Sequence, residues 1–151
     1  MDDGAPMPAV SVTTPDGQTI RLTELPLPAV VYFYPKDDTS GCTREAQDFS
    51  ALAEDFAAAG ASVMGVSKDS PAAHTKFIAK HGLTVSLGSD EDGSVCGAFG
   101  VWGEKKLYGK TYIGIERATF LFGADGTLVR AWRKVKVPGH AAAVLEAVRA
   151  L

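Results

Sequence analysis

The sequence predicts an α/β protein in which a mixed central β-sheet is flanked by α-helices and preceded by an N-terminal β-hairpin. Three observations predict it: a strand buried on both faces, strands that then alternate with amphipathic helices, and a second hairpin followed by a last helix. With 151 residues, of which 46% are hydrophobic and 22% charged, the chain has the size and composition of one globular domain over residues 1–151.

Turn residues and apolar spacing define the first elements. Residues 14–17 (TPDG) form a turn signature between two short runs, which predicts the N-terminal hairpin. The apolar run 29–34 (AVVYFY), stopped by Pro35, has the composition of a central strand. The helix predicted after it ends near Gly60 and has apolar residues on one face at Cys42, Ala46, Phe49, Ala53 and Phe56.

The alternation of strands and helices continues through the rest of the chain. The predicted elements are a strand at 61–66, a helix at 71–80 closed by Gly82, a strand at 84–87, a short helix at 94–99, strands at 118–122 and 127–132 around the turn 123–126 (GADG), and a helix with the apolar stripe Val144, Leu145, Val148 and Leu151. This order of elements resembles a thioredoxin-like fold.

Charge and hydropathy exclude several kinds of partner. Fifteen Lys and Arg residues against eighteen Asp and Glu residues give a net charge of −3, which lacks the basic excess of a nucleic-acid-binding protein. No apolar run approaches the ~18 residues of a membrane span, and the acidic start (MDDG) differs from a basic signal peptide. We therefore expect no nucleic-acid partner, no membrane span and a cytoplasmic location.

The two cysteines, Cys42 and Cys96, are too few for a disulfide scaffold. Cys42 lies in the first turn of a predicted helix, where unpaired amides and the helix dipole favour a thiolate and should lower its pKa below the usual ~8.5. Thr39, three residues earlier, can present a hydroxyl to whatever the sulfur attacks, and Glu45 can complement the same dipole. On position alone, a reactive Cys42 and a small residue packed at the helix start are equally good interpretations.

The residues around Cys42 carry a more specific pattern. Pro35, Thr39 and Cys42 form P-x-x-x-T-x-x-C behind the buried strand, and this resembles the peroxidatic motif of the peroxiredoxins. Further segments are similar to the bacterioferritin comigratory protein, or peroxiredoxin Q, branch of that family, so that nearly the whole chain is covered. These segments are GCTRE (41–45), SDED (89–92), FGVWGEK (99–105), YGK (108–110) and GIER (114–117).

The resemblance implies a thiol-dependent peroxidase that reduces hydrogen peroxide and small organic hydroperoxides without haem, flavin or metal. Cys42 would become a sulfenic acid and be recycled by thioredoxin or another thiol reductant. Thr39, the amides near Cys42 and Arg117 would donate hydrogen bonds to the peroxide, and Pro35 would shield the sulfur from water. A monomer is the expectation for this branch.

The sequence departs from the branch at the resolving cysteine. Many members carry that cysteine five residues after the peroxidatic one, where this chain has Gln47, and others carry it in the following helix, where this chain has none. Cys96 is then the possible resolving cysteine, if it already neighbours Cys42 or if local unfolding brings the two together. The alternatives are a packed Cys96 and a one-cysteine mechanism with an external thiol.

A second class of function stays open at this stage. A redox sensor or binding module of thioredoxin fold would use oxidation of Cys42 as a signal and turn over poorly, as a missing resolving cysteine allows. The chain's His74, His81 and His140 lack the spacing of a zinc site on one helix and are expected at the surface. Trp102 and Tyr108 are expected to pack under a loop.

Overall fold

The computed structural model describes the backbone of residues 1–151 and every side chain except that of Leu107. The strands are β1 (Ser11–Thr13), β2 (Thr19–Arg21), β3 (Ala29–Phe33), β4 (Ser62–Ser67), β5 (Ser86–Ser89), β6 (Trp102–Leu107), β7 (Lys110–Ile115), β8 (Ala118–Phe122) and β9 (Leu128–Trp132). The helices are α1 (Ser40–Ala51), α2 (Ala53–Ala58), α3 (Pro71–His81), α4 (Ser94–Ala98) and α5 (His140–Arg149), with a 3₁₀ turn at Leu22–Glu24.

The larger sheet has the order β2-β1-β5-β4-β3-β8-β9 in the described backbone. Strand β3 pairs in parallel with β4 and antiparallel with β8, while β5 joins β4 in parallel and β1 antiparallel. The predicted mixed sheet with an N-terminal hairpin is therefore confirmed. Among the described residues, no helix combines the length and the apolar character that crossing a bilayer requires.

Strand β3 divides the hydrophobic core between two faces of the sheet. Val31 and Phe33 pack with α4 in one cluster, whereas Val30, Tyr32 and Tyr34 pack with α1, α3 and α5 in the other. Because successive side chains of a strand point to opposite faces, the two clusters lie on opposite sides of the sheet.

Several predicted elements differ in the structure. The last helix ends at Arg149, so Leu151, which was expected on its apolar stripe, lies beyond it and is 55% exposed. The helix expected to run to Gly60 breaks at Leu52, where φ is −101° and ψ is 9°. Phe49 and Phe56, on either side of the break, pack in the same cluster. The apolar spacing therefore continues across Leu52, and the periodicity of the sequence does not show the break. The short strand expected at 84–87 is shifted to Ser86–Ser89, within the usual uncertainty of element boundaries.

The hairpin β6–β7 was not predicted. Its turn is formed by Tyr108 and Gly109, both at positive φ (52° and 77°), as a two-residue hairpin turn of this type requires. Trp102 is 45% exposed and Tyr108 95% exposed, so the expectation that both pack under a loop was wrong. The strands lack the apolar alternation that identifies a half-buried strand.

The expected surface position of the histidines is wrong for two of the three. His74 is completely buried and His140 is 7% exposed. Each is accommodated by hydrogen bonds: the His74 ring contacts Asp37 and the Gly88 carbonyl, and the His140 ring contacts the Thr119 hydroxyl. Burial lowers the pKa of His140 to about 4, and the positive charge of Arg117 acts in the same direction.

Candidate active site

Cys42 is the third residue of α1 and is only 1% exposed. The amide of Thr43 makes the first bond of the helix, to the Thr39 carbonyl at 2.8 Å, whereas the amides before it have no acceptor inside the helix. The packing of α1 on the sheet fixes this end, because Phe49 stacks on Tyr32 of β3 with ring centroids 4.5 Å apart. The Tyr32 ring in turn covers Gly65, where a Cβ would lie 2.5 Å from the ring.

Arg117 reaches the cysteine from the other side of the site. Its Nη2 donates to the Cys42 sulfur at 3.3 Å and its Nη1 donates to Glu45 Oε1 at 2.7 Å. Pairing of Ala118 with Phe33 brings Arg117 to the end of β3, where the loop toward Cys42 starts. Gly41 leaves room for the guanidinium, since a Cβ there would lie 3.1 Å from Nη2.

The charge of Arg117 is stabilised by its two partners. Burial alone lowers the pKa of the guanidinium, but attraction to Glu45 and to the Cys42 sulfur raises its pKa above the usual value. The side chain is 16% exposed, so a fixed positive charge lies next to the sulfur in a largely desolvated setting. Such a charge strengthens a hydrogen bond to an anion.

Glu45 has a larger part in the site than its sequence position indicated. It lies one turn after Cys42, is 1% exposed, and its Oε2 has no hydrogen-bond partner among the described residues. Burial raises the pKa of Glu45 to about 7, although Arg117 lowers it. The sequence signalled only a first-turn carboxylate, because its partner Arg117 is 72 residues away in the chain.

Thr39 and Pro35 lie on the loop that leads from β3 into α1. Thr39 is the N-cap residue of α1, but its hydroxyl donates to the Lys36 carbonyl at 2.9 Å instead of capping the helix. Pro35 follows the buried Tyr34 and is partly buried itself. The structure therefore brings Pro35, Thr39, Cys42 and Arg117 to one end of β3.

Cys96 is not part of this group. It lies in α4, is completely buried, and belongs to the cluster on the opposite face of the sheet from Cys42. Its amide donates to Asp90 at 2.8 Å, and burial raises the pKa of its thiol well above the usual range. A neutral, enclosed thiol of this kind is unreactive.

The arrangement around Cys42 suits a nucleophilic thiolate that attacks a polar substrate. A sulfur beside a helix N-terminus and a guanidinium can be held as an anion, and the same donors can stabilise negative charge that develops on a leaving oxygen. The fold and the site thus define an α/β protein of thioredoxin-like fold whose candidate site centres on a cysteine thiol.

Comparison with known proteins gives the family. The AhpC/TSA family profile matches residues 4–131. Peroxiredoxin Bcp of Xanthomonas campestris is 55% identical over 121 residues, which are 80% of this chain and 76% of that protein. The chain therefore belongs to the AhpC/TSA family, within its Bcp, or peroxiredoxin Q, group.

Solved structures agree with this assignment. A structure of the Xanthomonas campestris bacterioferritin comigratory protein, from work on its alkyl peroxide reduction activity, superposes with a TM-score of 0.90 at 46% identity, covering 99% of this chain and 98% of the other. A Cys-to-Ser variant of PrxQ from Xylella fastidiosa gives a TM-score of 0.92 at 41% identity, covering 99% and 96%. The chain is a thiol-dependent peroxidase with a peroxide substrate and a thiol reductant, and a sensor with poor turnover is not favoured.

Proposed function

We propose that Cys42 is the nucleophile of the peroxidase and that Arg117, Thr39 and the first amides of α1 hold the peroxide. The single observation that carries the proposal is the 3.3 Å contact between Arg117 Nη2 and the Cys42 sulfur at the N-terminus of a buried helix. The contact supports a thiolate at Cys42 and provides a donor for the substrate at the same point.

The proposed reaction is an in-line displacement at one peroxide oxygen. The Cys42 thiolate attacks that oxygen, a sulfur–oxygen bond forms, and the oxygen–oxygen bond breaks. The attacked oxygen keeps its hydrogen, so Cys42 becomes a sulfenic acid, while the leaving oxygen departs as alkoxide or hydroxide and takes up a proton from solvent to become an alcohol or water. Negative charge grows on the leaving oxygen, where Arg117 and the helix amides would stabilise it.

Thr39 and Pro35 are proposed to assist this step. The Thr39 hydroxyl, which now donates to Lys36, would turn toward the peroxide when substrate enters. Pro35 would limit the access of water to the sulfur, because its ring has no amide donor and lies on the loop beside the site. Both proposals are supported by the position of the loop between β3 and α1.

For the second half of the cycle we propose a one-cysteine mechanism. A disulfide needs Cα atoms within ~7 Å, and the opposite-face positions of Cys42 and Cys96 argue against such a bond, since the sheet itself would have to open. An external thiol would attack the sulfenic acid, releasing water and forming a mixed disulfide, and a second thiol would then release Cys42. Thioredoxin or another thiol reductant would serve, and the enzyme would act as a cytoplasmic monomer formed by one domain.

The Cys42→Ser variant tests the nucleophile. We expect it to lose peroxide consumption in an assay with a thioredoxin system, while Cys96→Ser retains it. The matched pair is informative because both residues are buried cysteines of the same chain. Peroxidase activity in Cys42→Ser at the wild-type level would refute the assignment.

Intact mass and peptide mapping after one equivalent of hydrogen peroxide test the cycle. With a sulfenic-acid trap present, we expect an adduct on Cys42 and an unmodified Cys96. A Cys42–Cys96 disulfide would instead mean internal resolution and would contradict the one-cysteine mechanism.

A further inference from the structure

Residues 35–39, here called the peroxidatic loop, carry Pro35 and Thr39 and lead directly into the turn that holds Cys42. The loop is attached by polar contacts to α3 and to the segment before it. The Asp37 amide donates to Asp69 Oδ2 at 2.9 Å, and both of the loop's aspartates contact residues of α3. The conformation of the loop therefore depends on a helix that contributes none of the proposed catalytic residues.

The inner attachment is a buried pair of side chains. Asp37 Oδ2 lies 2.7 Å from His74 Nδ1, and Asp37 Oδ1 accepts from the Tyr34 hydroxyl at 2.6 Å. His74 is completely buried and Asp37 is 9% exposed. Since Tyr34 continues β3, the pair links the sheet, the loop and α3.

The neighbouring acceptor atoms show which nitrogen of the His74 ring carries a proton. His74 Nε2 lies 3.1 Å from the Gly88 carbonyl oxygen, and a carbonyl can only accept, so Nε2 carries a proton. Nδ1 forms the second hydrogen bond of the ring, with the Asp37 carboxyl group. Each polar atom of the pair thus has a partner, and removing either residue leaves one buried polar atom of the other without the hydrogen bond that the pair provides.

We propose that Asp37 and His74 are positioning residues of the peroxidase, which together hold the peroxidatic loop so that the donors around Cys42 meet the peroxide in reactive geometry. Neither residue contacts Cys42 in the structure, so both act through the loop. Small displacements of reacting groups are costly: about 1 Å can slow a reaction ~100-fold. The proposal rests on Cys42 being the nucleophile.

The outer attachment provides a matched control. Asp38, also on the loop, contacts Lys80 Nζ at 2.6 Å and His81 Nε2 at 2.8 Å, but the Lys80 side chain is 61% exposed and that of Asp38 is 43% exposed. Exposed ion pairs contribute little to stability. Lys80→Ala therefore removes a loop-to-α3 contact of the same type without disturbing the buried pair.

The test compares two reactions of Cys42 in Asp37→Asn, His74→Gln, the double variant and Lys80→Ala. Stopped flow measures oxidation by hydrogen peroxide, which needs the aligned donors, and iodoacetamide measures alkylation, which needs only an accessible thiolate. We expect Asp37→Asn and His74→Gln each to slow oxidation about tenfold or more, with alkylation changed less than about threefold. Lys80→Ala should stay within about twofold of wild type in both reactions.

The double variant tests whether the two residues act as a pair. If they do, it is about as slow as the slower single variant, because the link is already broken. His74→Ala should be slower than His74→Gln, since glutamine fills part of the space of the imidazole and can still donate to the Gly88 carbonyl; if the alanine variant does not fold, the other variants decide.

Three outcomes would each overturn the positioning role. The first is an oxidation rate within about twofold of wild type in both single variants, and the second is an alkylation rate that falls as much as the oxidation rate. The third is a double variant whose loss in oxidation rate equals the product of the two single losses. None of these outcomes bears on the nucleophile, which Cys42→Ser tests separately.

Discussion

At the scale of single residues, the site depends on how one guanidinium is shared between two acids. Arg117 faces the Cys42 sulfur and Glu45 at once. Glu45 holds the guanidinium in place, while the raised pKa of this carboxyl limits how much of the cation's charge it neutralises near pH 7. Arg117 is therefore free to stabilise charge at the sulfur as well.

Replacing Arg117 by alanine should reduce kcat/KM for hydrogen peroxide about 100-fold to 1,000-fold, the usual loss when one donor to a developing anion is removed. We expect the variant to fold, because Glu45 can take up a proton once the cation is gone. Arg133→Ala, which breaks an exposed pair with Glu116, is the control and should change kcat/KM little. A value for Arg117→Ala within about threefold of wild type would exclude the proposed role.

The raised pKa of Glu45 predicts a pH-dependent stability. Its pKa is about 7 in the folded chain against 4.5 as the ordinary value, so the unfolded chain loses this proton at lower pH than the folded chain. The stabilisation is complete below pH 4.5 and is lost as pH rises to about 7. In Glu45→Gln this loss is absent, so the free energy of unfolding of the variant relative to wild type should rise between pH 4.5 and about 7.

Urea denaturation of both proteins across that range measures the difference, which we expect to grow by about 2–3 kcal/mol. Glu54→Gln, at an exposed position in α2, is the control and should give a small, nearly constant difference. A difference for Glu45→Gln that is flat or falls with pH would contradict the pKa assignment.

At the scale of elements, the geometry of α1 determines which of its positions lie on the same side of the helix as Cys42. Cys42 faces the core, whereas Gln47, five residues later, is exposed. Five residues correspond to about 140° around the helix axis, so side chains at these two positions point in different directions. A thiol introduced at position 47 would therefore reach Cys42 only after the first turns of α1 unwind.

The variant Gln47→Cys should restore an internal resolving step. After one equivalent of hydrogen peroxide we expect a disulfide between Cys42 and the introduced thiol by non-reducing peptide mapping, faster hydrogen exchange in α1, and less sulfenic-acid trapping than in wild type. Gln47→Ser, which places a polar side chain without a thiol at the same position, should behave like wild type. Full trapping on Cys42 in Gln47→Cys would show that α1 does not open on the time scale of the cycle.

At the scale of the whole molecule, the sheet separates the two cysteines. We expect the structure around each of them to open with a different free energy. Cys96 is enclosed among Val95, Phe99 and Phe33 on one face, whereas Cys42 is enclosed at the end of a helix on the other. Exposing Cys96 requires the core around β3 to open, but exposing Cys42 requires only the first turn of α1 and its loop to move.

Thiol labelling should separate these two kinds of opening. In Cys42→Ser, we expect the labelling rate of Cys96 to rise with urea concentration as steeply as global unfolding does. In Cys96→Ser, we expect the labelling rate of Cys42 to depend only weakly on urea at low concentration, because local opening exposes little surface. The slopes are measured with a chromogenic disulfide and compared with equilibrium denaturation. Equal, shallow slopes would mean that α4 opens locally, and Cys96 would again be a candidate for resolution.

Most of the fold was predictable because its signals are local. The turn at 14–17, the run before Pro35 and the left-handed Gly82 that ends α3 each depend on neighbours in the chain. The same holds for Cys42 at a helix start, and for its motif with Pro35 and Thr39. The hairpin β6–β7 was missed because its strands are largely exposed and so carry no burial pattern.

The amino-acid sequence alone determined the order of strands and helices apart from the hairpin β6–β7, the helix-start position of Cys42 and the resemblance to peroxiredoxins. Only the tertiary structure decided that Arg117, 75 residues from Cys42, contacts its sulfur, that Glu45 and His74 are buried in pairs, and that Cys96 lies across the sheet. The physical reason is that periodicity shows which side of an element is buried, but not which residue of a distant element lies against it. Those partners are fixed by strand pairing and packing across the sheet.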